Sequence, residues 1–196
     1  MPRLTDATRQ SRREQIGEAA LRCVARKGLV ETSMADIIAE SGLSAGSIYS
    51  HFESKTELIH FVGTTLVESS FGSVGLTGAP APAEVFRRVV RVKGNRDFAR
   101  AIVQVWAAAA HDDELSAVAR EKVAVVRASF ENALRPWAAE RAADEPDAVR
   151  SDAAVIAARA ADAVMAMMQG LIVRLAIDPV VDEVELREAL AAALAP

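Results

Sequence analysis

Apolar residues recur three and four positions apart along most of this chain, which is the spacing of one helix face. Ile16, Ala19, Ala20, Cys23 and Val24 mark the first such face, and Gly28 ends it. A second short pattern carries Ile37 and Ile38, and a third carries Ile48 and Phe52. Leu58, Phe61, Val62, Thr65 and Leu66 give a helix from about Ser54 to Phe71, followed by a stretch punctuated by Gly72, Gly75, Gly78, Pro80 and Pro82. Helices then follow one another. Residues 83–93 present Val85, Phe86, Val89 and Val90, and residues 97–110 present Phe98, Ile102, Val105 and Trp106. Residues 114–143 present Leu115, Val118, Val123, Val126, Phe130 and Leu134, and Pro136 predicts a kink or an early end there. Asp144-Glu145-Pro146 reads as a turn. Residues 147–177 form the longest apolar-rich helix, and Leu186, Leu190 and Leu194 stripe the last one. No period-two alternation, internal repeat or low-complexity tail interrupts this, so the expected fold is all-α with about nine helices.

The stretch Ser33–Lys55, SMADIIAESGLSAGSIYSHFESK, holds the densest local signals. Ser33 is placed to cap a helix, with Asp36 completing a capping box three residues on. Gly42 suits the left-handed position that stops that helix. Ser44 caps the next, whose Ile48 and Phe52 fall on one face. Its other face offers Ala45, Gly46, Ser47, Tyr49, Ser50 and His51, a poor core but a suitable surface for a DNA groove. Two short helices around the Ser41-Gly42-Leu43 turn make a helix-turn-helix.

These residues resemble the TetR (tetracycline-repressor) family of bacterial transcriptional regulators. The resemblance rests on the Ala-rich run Ile16–Gly28, Thr32-Ser33, Asp36-Ile37, Gly42-Leu43-Ser44, Gly46 with Ile48, Tyr49 and Phe52, and Ser54-Lys55 with Leu58. It covers roughly the first 60 residues. It implies a three-helix DNA-binding domain over residues 1–55 and a helical ligand-binding and dimerisation domain over residues 56–196. It also implies phosphate contacts from Thr32, Ser33, Ser44, Tyr49 and Lys55, with Ala45, Gly46, Ser47, Ser50 and His51 lining the groove. Ala35 and Ala45 stand where many relatives carry longer polar side chains. With no Arg or Gln on this face, bidentate base readout is absent, and specificity is expected to lean on shape and phosphate contacts.

Charge supports a DNA-facing end. Seven of the first 27 residues are basic (Arg3, Arg9, Arg12, Arg13, Arg22, Arg26 and Lys27) against Asp6, Glu14 and Glu18, in a chain of net charge −4. A solvated charge run would look the same. The single cysteine, Cys23, cannot form an intramolecular disulfide. The N-terminus lacks an apolar signal region, and uninterrupted apolar runs such as Val105–Ala110 stay far below the roughly 20 residues of a membrane span. The cytoplasm and no membrane partner are therefore expected. No metal-spacing motif, phosphate loop or nucleophile elbow appears. His111-Asp112-Asp113-Glu114 reads as capping at a turn. No enzyme, metal or cofactor is expected.

Two further sites are expected in the body. Thr65, Phe86, Phe98, Ile102, Gln104, Trp106, Phe130, Met165, Met168 and Gln169 lie on helices that should converge, and aromatic, Met and amide side chains suit a small-molecule pocket as well as an ordinary core. The segment AAVIAARAADAVMAMMQGLIVRLAI is apolar nearly all round, so it is buried on more than one side. One solution is the centre of a monomer. The other is a two-fold pairing through Val155, Arg159, Asp162, Ala166 and Gly170, joined by Leu186 and Leu190 of the last helix. A homodimeric repressor released from a palindromic operator by a small-molecule effector is the function these expectations fit. A helical interaction or ligand-carrier module without DNA binding is the alternative, and it would require the outward face of residues 45–51 to be covered.

Overall fold

The computed structural model describes residues 6–62, 78–93, 95–144 and 152–195. Among these there are nine α-helices and no strand: α1 (Asp6–Lys27), α2 (Met34–Ser41), α3 (Ala45–Tyr49), α4 (Lys55–Phe61), α5 (Pro82–Lys93), α6 (Arg96–Ala109), α7 (Asp113–Asp144), α8 (Ala153–Ile177) and α9 (Glu183–Ala193). Thr65 and Leu66, the Gly72–Gly75 stretch, the Asp144 turn beyond its first residue and the start of the helix expected from 147 lie outside the described residues.

Most ends are set by local chemistry. Asn95, Asp152 and Asp182 cap α6, α8 and α9 by accepting from backbone N–H groups in the first turn. Arg96 donates to the carbonyls of Asp178 (2.6 Å) and Val181 (2.6 Å) and pairs with Glu183 (2.9 Å), so one guanidinium closes the carboxyl end of α8 and fixes the start of α9. Helix α7 runs through Pro136 without ending, so of the two outcomes expected from sequence the early end does not occur. Pro136 is exposed, so the carbonyl one turn back loses its donor on the solvent side, while Leu134 and Ala138 are buried on either side of it and hold the helix together.

The core falls into three parts. In the head, Ile16, Ala20, Ile37, Ile48, Phe52, Leu58 and Phe61 close a cluster of α1–α4. In the body, α5–α9 bury Phe86, Phe130, Leu134, Val164 and Leu171. A third cluster joins them: Val24 and Ala25 of α1 and Ile59 of α4 meet Ala101, Val105 and Ala109 of α6 and Leu115 of α7. Packing is thus continuous across residue 55, since Leu58 and Phe61 face the head while Ile59 faces the junction.

Helix α8 is long and apolar enough to cross a membrane by length and composition. Sequence runs alone miss this, because its few charges break the longest run. In the fold, one side of it (Ala157, Ala161, Val164, Met168, Leu171 and Leu175) is packed into the body, and Arg159, Asp162 and Arg174 stand on the exposed side.

Candidate nucleic-acid interface and effector cavity

The head is built on interlocking caps. The Ser33 hydroxyl accepts from the Asp36 N–H (3.2 Å) and donates to the Asp36 carboxylate (2.7 Å), which also accepts the Ser33 N–H (2.9 Å). Lys27 reaches the same carboxylate at 2.5 Å. The Lys27 ammonium, and then the Ser33 donors, hold Asp36 well below the usual carboxylate range. Gly42 ends α2 with φ 69°, where only glycine sits without strain. Ser44 then caps α3 by accepting from the Ser47 N–H (3.2 Å).

Helix α3 stops at Tyr49 and finishes in a tight turn, shorter than the Ser44–Phe52 helix that the sequence predicts. Ile48 and Phe52 still point inward and are fully buried. Ser44, Ala45, Gly46 and Ser50 are exposed, Tyr49 is half exposed, and Ser47 and His51 are half-buried beside them. A Cβ added at Gly46 would meet nothing within 4 Å, so the subunit's own packing does not require glycine there. Lys55 donates to the Val30 carbonyl (3.1 Å), which ties the start of α4 to the loop after α1. Ser33 is exposed, but Asp36 takes its donors.

Thr32 does not join this surface. It is 1% exposed, and both its N–H (3.1 Å) and its hydroxyl (2.7 Å) donate to the Gly28 carbonyl. The basic run is also less available than a charge count suggests. Arg22 and Arg26 clasp Glu40 at 2.7 and 2.5 Å, and Lys27 is on Asp36. Arg13 lies over the rings of Phe52 (4.2 Å) and Phe61 (4.7 Å) and donates to the His51 carbonyl (2.7 Å). It therefore locks α1 to the end of the recognition turn, a role its place in a basic run does not disclose. Arg9 and Arg12 are exposed on the same side. Burial first, then Arg13, Arg9 and Arg12, push the His51 imidazole below its ordinary value.

The family model for bacterial regulatory proteins of the tetR family matches residues 16–62, the segment that forms this head. Residues 16–62 thus match the N-terminal domain of that family. The chain is 39% identical over 69 residues to the HTH-type transcriptional regulator TtgR of Pseudomonas putida, covering 35% of this chain and 33% of that protein. With the HTH-type transcriptional regulator AcrR of Shigella flexneri it shares 34% over 76 residues, 39% of this chain and 35% of AcrR. The chain thus spans about a third of the length of the curated relatives it matches. Over nearly the whole chain the fold is that of solved regulators. A transcriptional regulator from Rhodococcus sp. Rha1 superposes with a TM-score of 0.68 at 18% identity, over 93% of each chain. The fatty acid degradation regulator FadR of Bacillus halodurans gives 0.69 at 13% identity, over 98% of this chain and 96% of that one. The curated relatives matched over this segment are transcriptional regulators.

In the body, α5–α8 line a cavity of about 90 Å³. Six of the expected pocket residues line it: Phe98, Ile102, Trp106, Met165, Met168 and Gln169. Phe86 and Phe130 are fully buried and belong to the core rather than the wall. Gln104 turns the other way. Its Oε1 accepts the Leu29 N–H (2.5 Å) and its Nε2 donates to the Val24 carbonyl (3.1 Å), so a body side chain stitches the end of α1. Sequence reasoning missed Lys122, Val118 and Val123, which complete the wall from α7. Val123 looks like an ordinary core position in the helical stripe, yet it is 38% exposed.

The expected interface residues divide. Val155, Arg159, Asp162, Ala166 and Gly170 share one exposed stripe of α8 with Val173 and Ile177. Asp162 is held on α7 by Arg127 at 2.5 and 3.1 Å. A Cβ at Gly170, as at Gly46, would meet nothing within 4 Å. Leu186 and Leu190 instead pack, half-buried, against the body core of their own subunit.

Proposed function

We propose that this protein is a homodimeric transcriptional repressor. Each subunit lays α3 in the major groove of one half of a two-fold symmetric operator, and a small molecule in the α5–α8 cavity releases the DNA. The observation that carries this is the division of the recognition turn. Ile48 and Phe52 are wholly inside, while Ala45, Gly46, Tyr49 and Ser50 stand exposed among the described residues. The alternative of a head that merely packs would need that surface covered.

Support for pairing comes from the exposed stripe of α8. Val155, Ala166, Gly170, Val173 and Ile177 form an apolar, small-residue track that water disfavours and that permits close helix approach. Release by an effector follows from linkage: a ligand that prefers one spacing of the two heads must oppose DNA that prefers another. Helix α6 suits this role, since its Ile102 and Trp106 line the cavity while its Gln104 holds α1.

Fluorescence anisotropy on the DNA upstream of the coding region tests the reading. Salt-sensitive, sequence-preferring binding is expected from the wild type. Tyr49→Ala combined with Lys55→Ala is expected to weaken it about tenfold or more, on the scale of lost phosphate and groove contacts. Light scattering is expected to show a dimer. Unchanged binding by the double variant, or a monomer that binds as tightly, would overturn the proposal.

A further inference from the structure

The geometry points to Arg13 as a positioning residue for DNA readout: it holds the end of the recognition turn in register with α1 and α4, and it is not one of the phosphate-binding cations of the basic run. This rests on the head being a DNA reader.

Arg13 has the sequence setting of a phosphate ligand, directly after Arg12 in the basic opening of α1. Its surroundings are those of a clamp. The guanidinium carbon lies 4.2 Å from the centre of the Phe52 ring and 4.7 Å from that of Phe61, and the two rings stand 5.1 Å apart at 56°. A planar cation against two rings is held in orientation as well as in place. Its Nη1 donates to the His51 carbonyl at 2.7 Å, and its Nη2 is 4.0 Å from the Glu57 carboxylate. That carboxylate is itself fixed, because its other oxygen accepts the Glu53 N–H at 2.7 Å and the Glu57 N–H donates to the Ser54 hydroxyl at 3.1 Å. One side chain of α1 thus grips His51 and Phe52 at the end of the recognition turn together with Glu57 and Phe61 of α4. Only 28% of that side chain is exposed, whereas Arg9 and Arg12 stand exposed on the preceding turn.

Reaching a phosphate would mean leaving both rings and the His51 carbonyl. Staying in place has a specific consequence. Helix α3 is five residues long, too short to be held by its own hydrogen bonds, so its direction depends on what grips its end. Base contacts need donor and acceptor within a few tenths of an ångström of their best separation, while attraction to phosphate falls only gradually with distance. A looser recognition turn therefore loses sequence preference first and general DNA affinity last.

Fluorescence anisotropy with the full-length protein compares the DNA upstream of the coding region with a scrambled duplex of equal length, each over a range of salt. Arg13→Met is expected to reduce the ratio of the two affinities about tenfold, the scale of one lost base contact, and to leave binding to the scrambled duplex and its salt slope unchanged. A phosphate ligand would instead weaken both duplexes alike and lower the slope by about 0.9. Arg13→Lys keeps the charge but not the planar fork, so it is expected to leave most of the lost preference unrestored. Melting curves accompany both variants, and if Arg13→Met does not fold, Arg13→Lys decides. Wild-type preference in Arg13→Lys, a lowered salt slope in Arg13→Met, or a head that unfolds in both would each overturn the inference. A wild type without sequence preference is a different failure: it removes the DNA-reading function itself, and the inference with it.

Discussion

The head and the cavity-bearing part of the body are both helical, but they are held together differently. In the head nearly every turn is pinned by a neighbour in sequence or by a charged partner: Ser33 with Asp36, Ser44 with Ser47, Arg22 and Arg26 on Glu40, Arg13 over Phe52. In the body, the α7 stretch from Val118 to Val125 leans on the rest with little burial, and Val123 and Val125 are 38% and 42% exposed. A surface that must hold a fixed shape against DNA gains from local pinning. On the proposed function, a wall that admits and releases a ligand gains from its absence, because weakly packed elements open at low cost.

The comparison breaks most visibly at Phe52. Phe52→Ala is expected to cost about 3–5 kcal/mol, since it empties a fully buried site and strips the ring under Arg13. Val123→Ala, in the cavity wall, is expected to cost far less. Chemical denaturation measures both, and equal costs would erase the distinction.

A middle-sized effect is expected where the two regions meet. Gln104→Leu leaves the Leu29 N–H without its acceptor at the junction, while the Val24 carbonyl keeps the Gly28 N–H (2.9 Å), a loss of about 1–3 kcal/mol. Hydrogen exchange is expected to rise at the end of α1 while α8 keeps its protection. If α8 loosens equally, head and body are one cooperative unit rather than two regions with a seam.

The smallest effects lie in pH, and they belong to the head. His51 is held below its ordinary value, so the unfolded chain takes up its proton first. Stability from this group is complete above about pH 6.5 and declines as pH falls through the lowered folded value. His51→Gln is expected to flatten the melting temperature between pH 7 and 5. Asp36 and Glu40, lowered by Lys27 with Ser33 and by Arg22 with Arg26, act in the same direction in a more acid window. Their contribution is complete above the ordinary 3.8 and 4.5 and is lost below. A melting curve insensitive to pH across both windows would show that these contacts do not fix the head.

The same contrast explains what the sequence disclosed. Caps and boxes act within three or four residues, so Ser33, Asp36, Gly42 and Ser44 could be placed from their spacing. Helical spacing of apolar residues likewise placed the helices. What stayed hidden depends on partners distant in sequence. Glu40 neutralises Arg22 and Arg26, and Gln104 reaches Leu29 across 75 positions. Phe86 and Phe130 sit in the core while Val118 and Val123 line the cavity, a choice made by helix rotation and not by residue type. Thr32 carries a hydroxyl that looks available, but the turn after Gly28, at φ 95°, folds it inward.

Helix α3 is only five residues long, so it extends roughly 7.5 Å. That is the reach of two or three base pairs, and so short a word recurs everywhere in a genome. Under the proposed pairing, an address written with such a stub is spelled twice, at an interval set by the frame between the copies. Discrimination then belongs to the ruler as much as to the letters, and a drift of a few ångströms between the two ends is enough to make the text illegible.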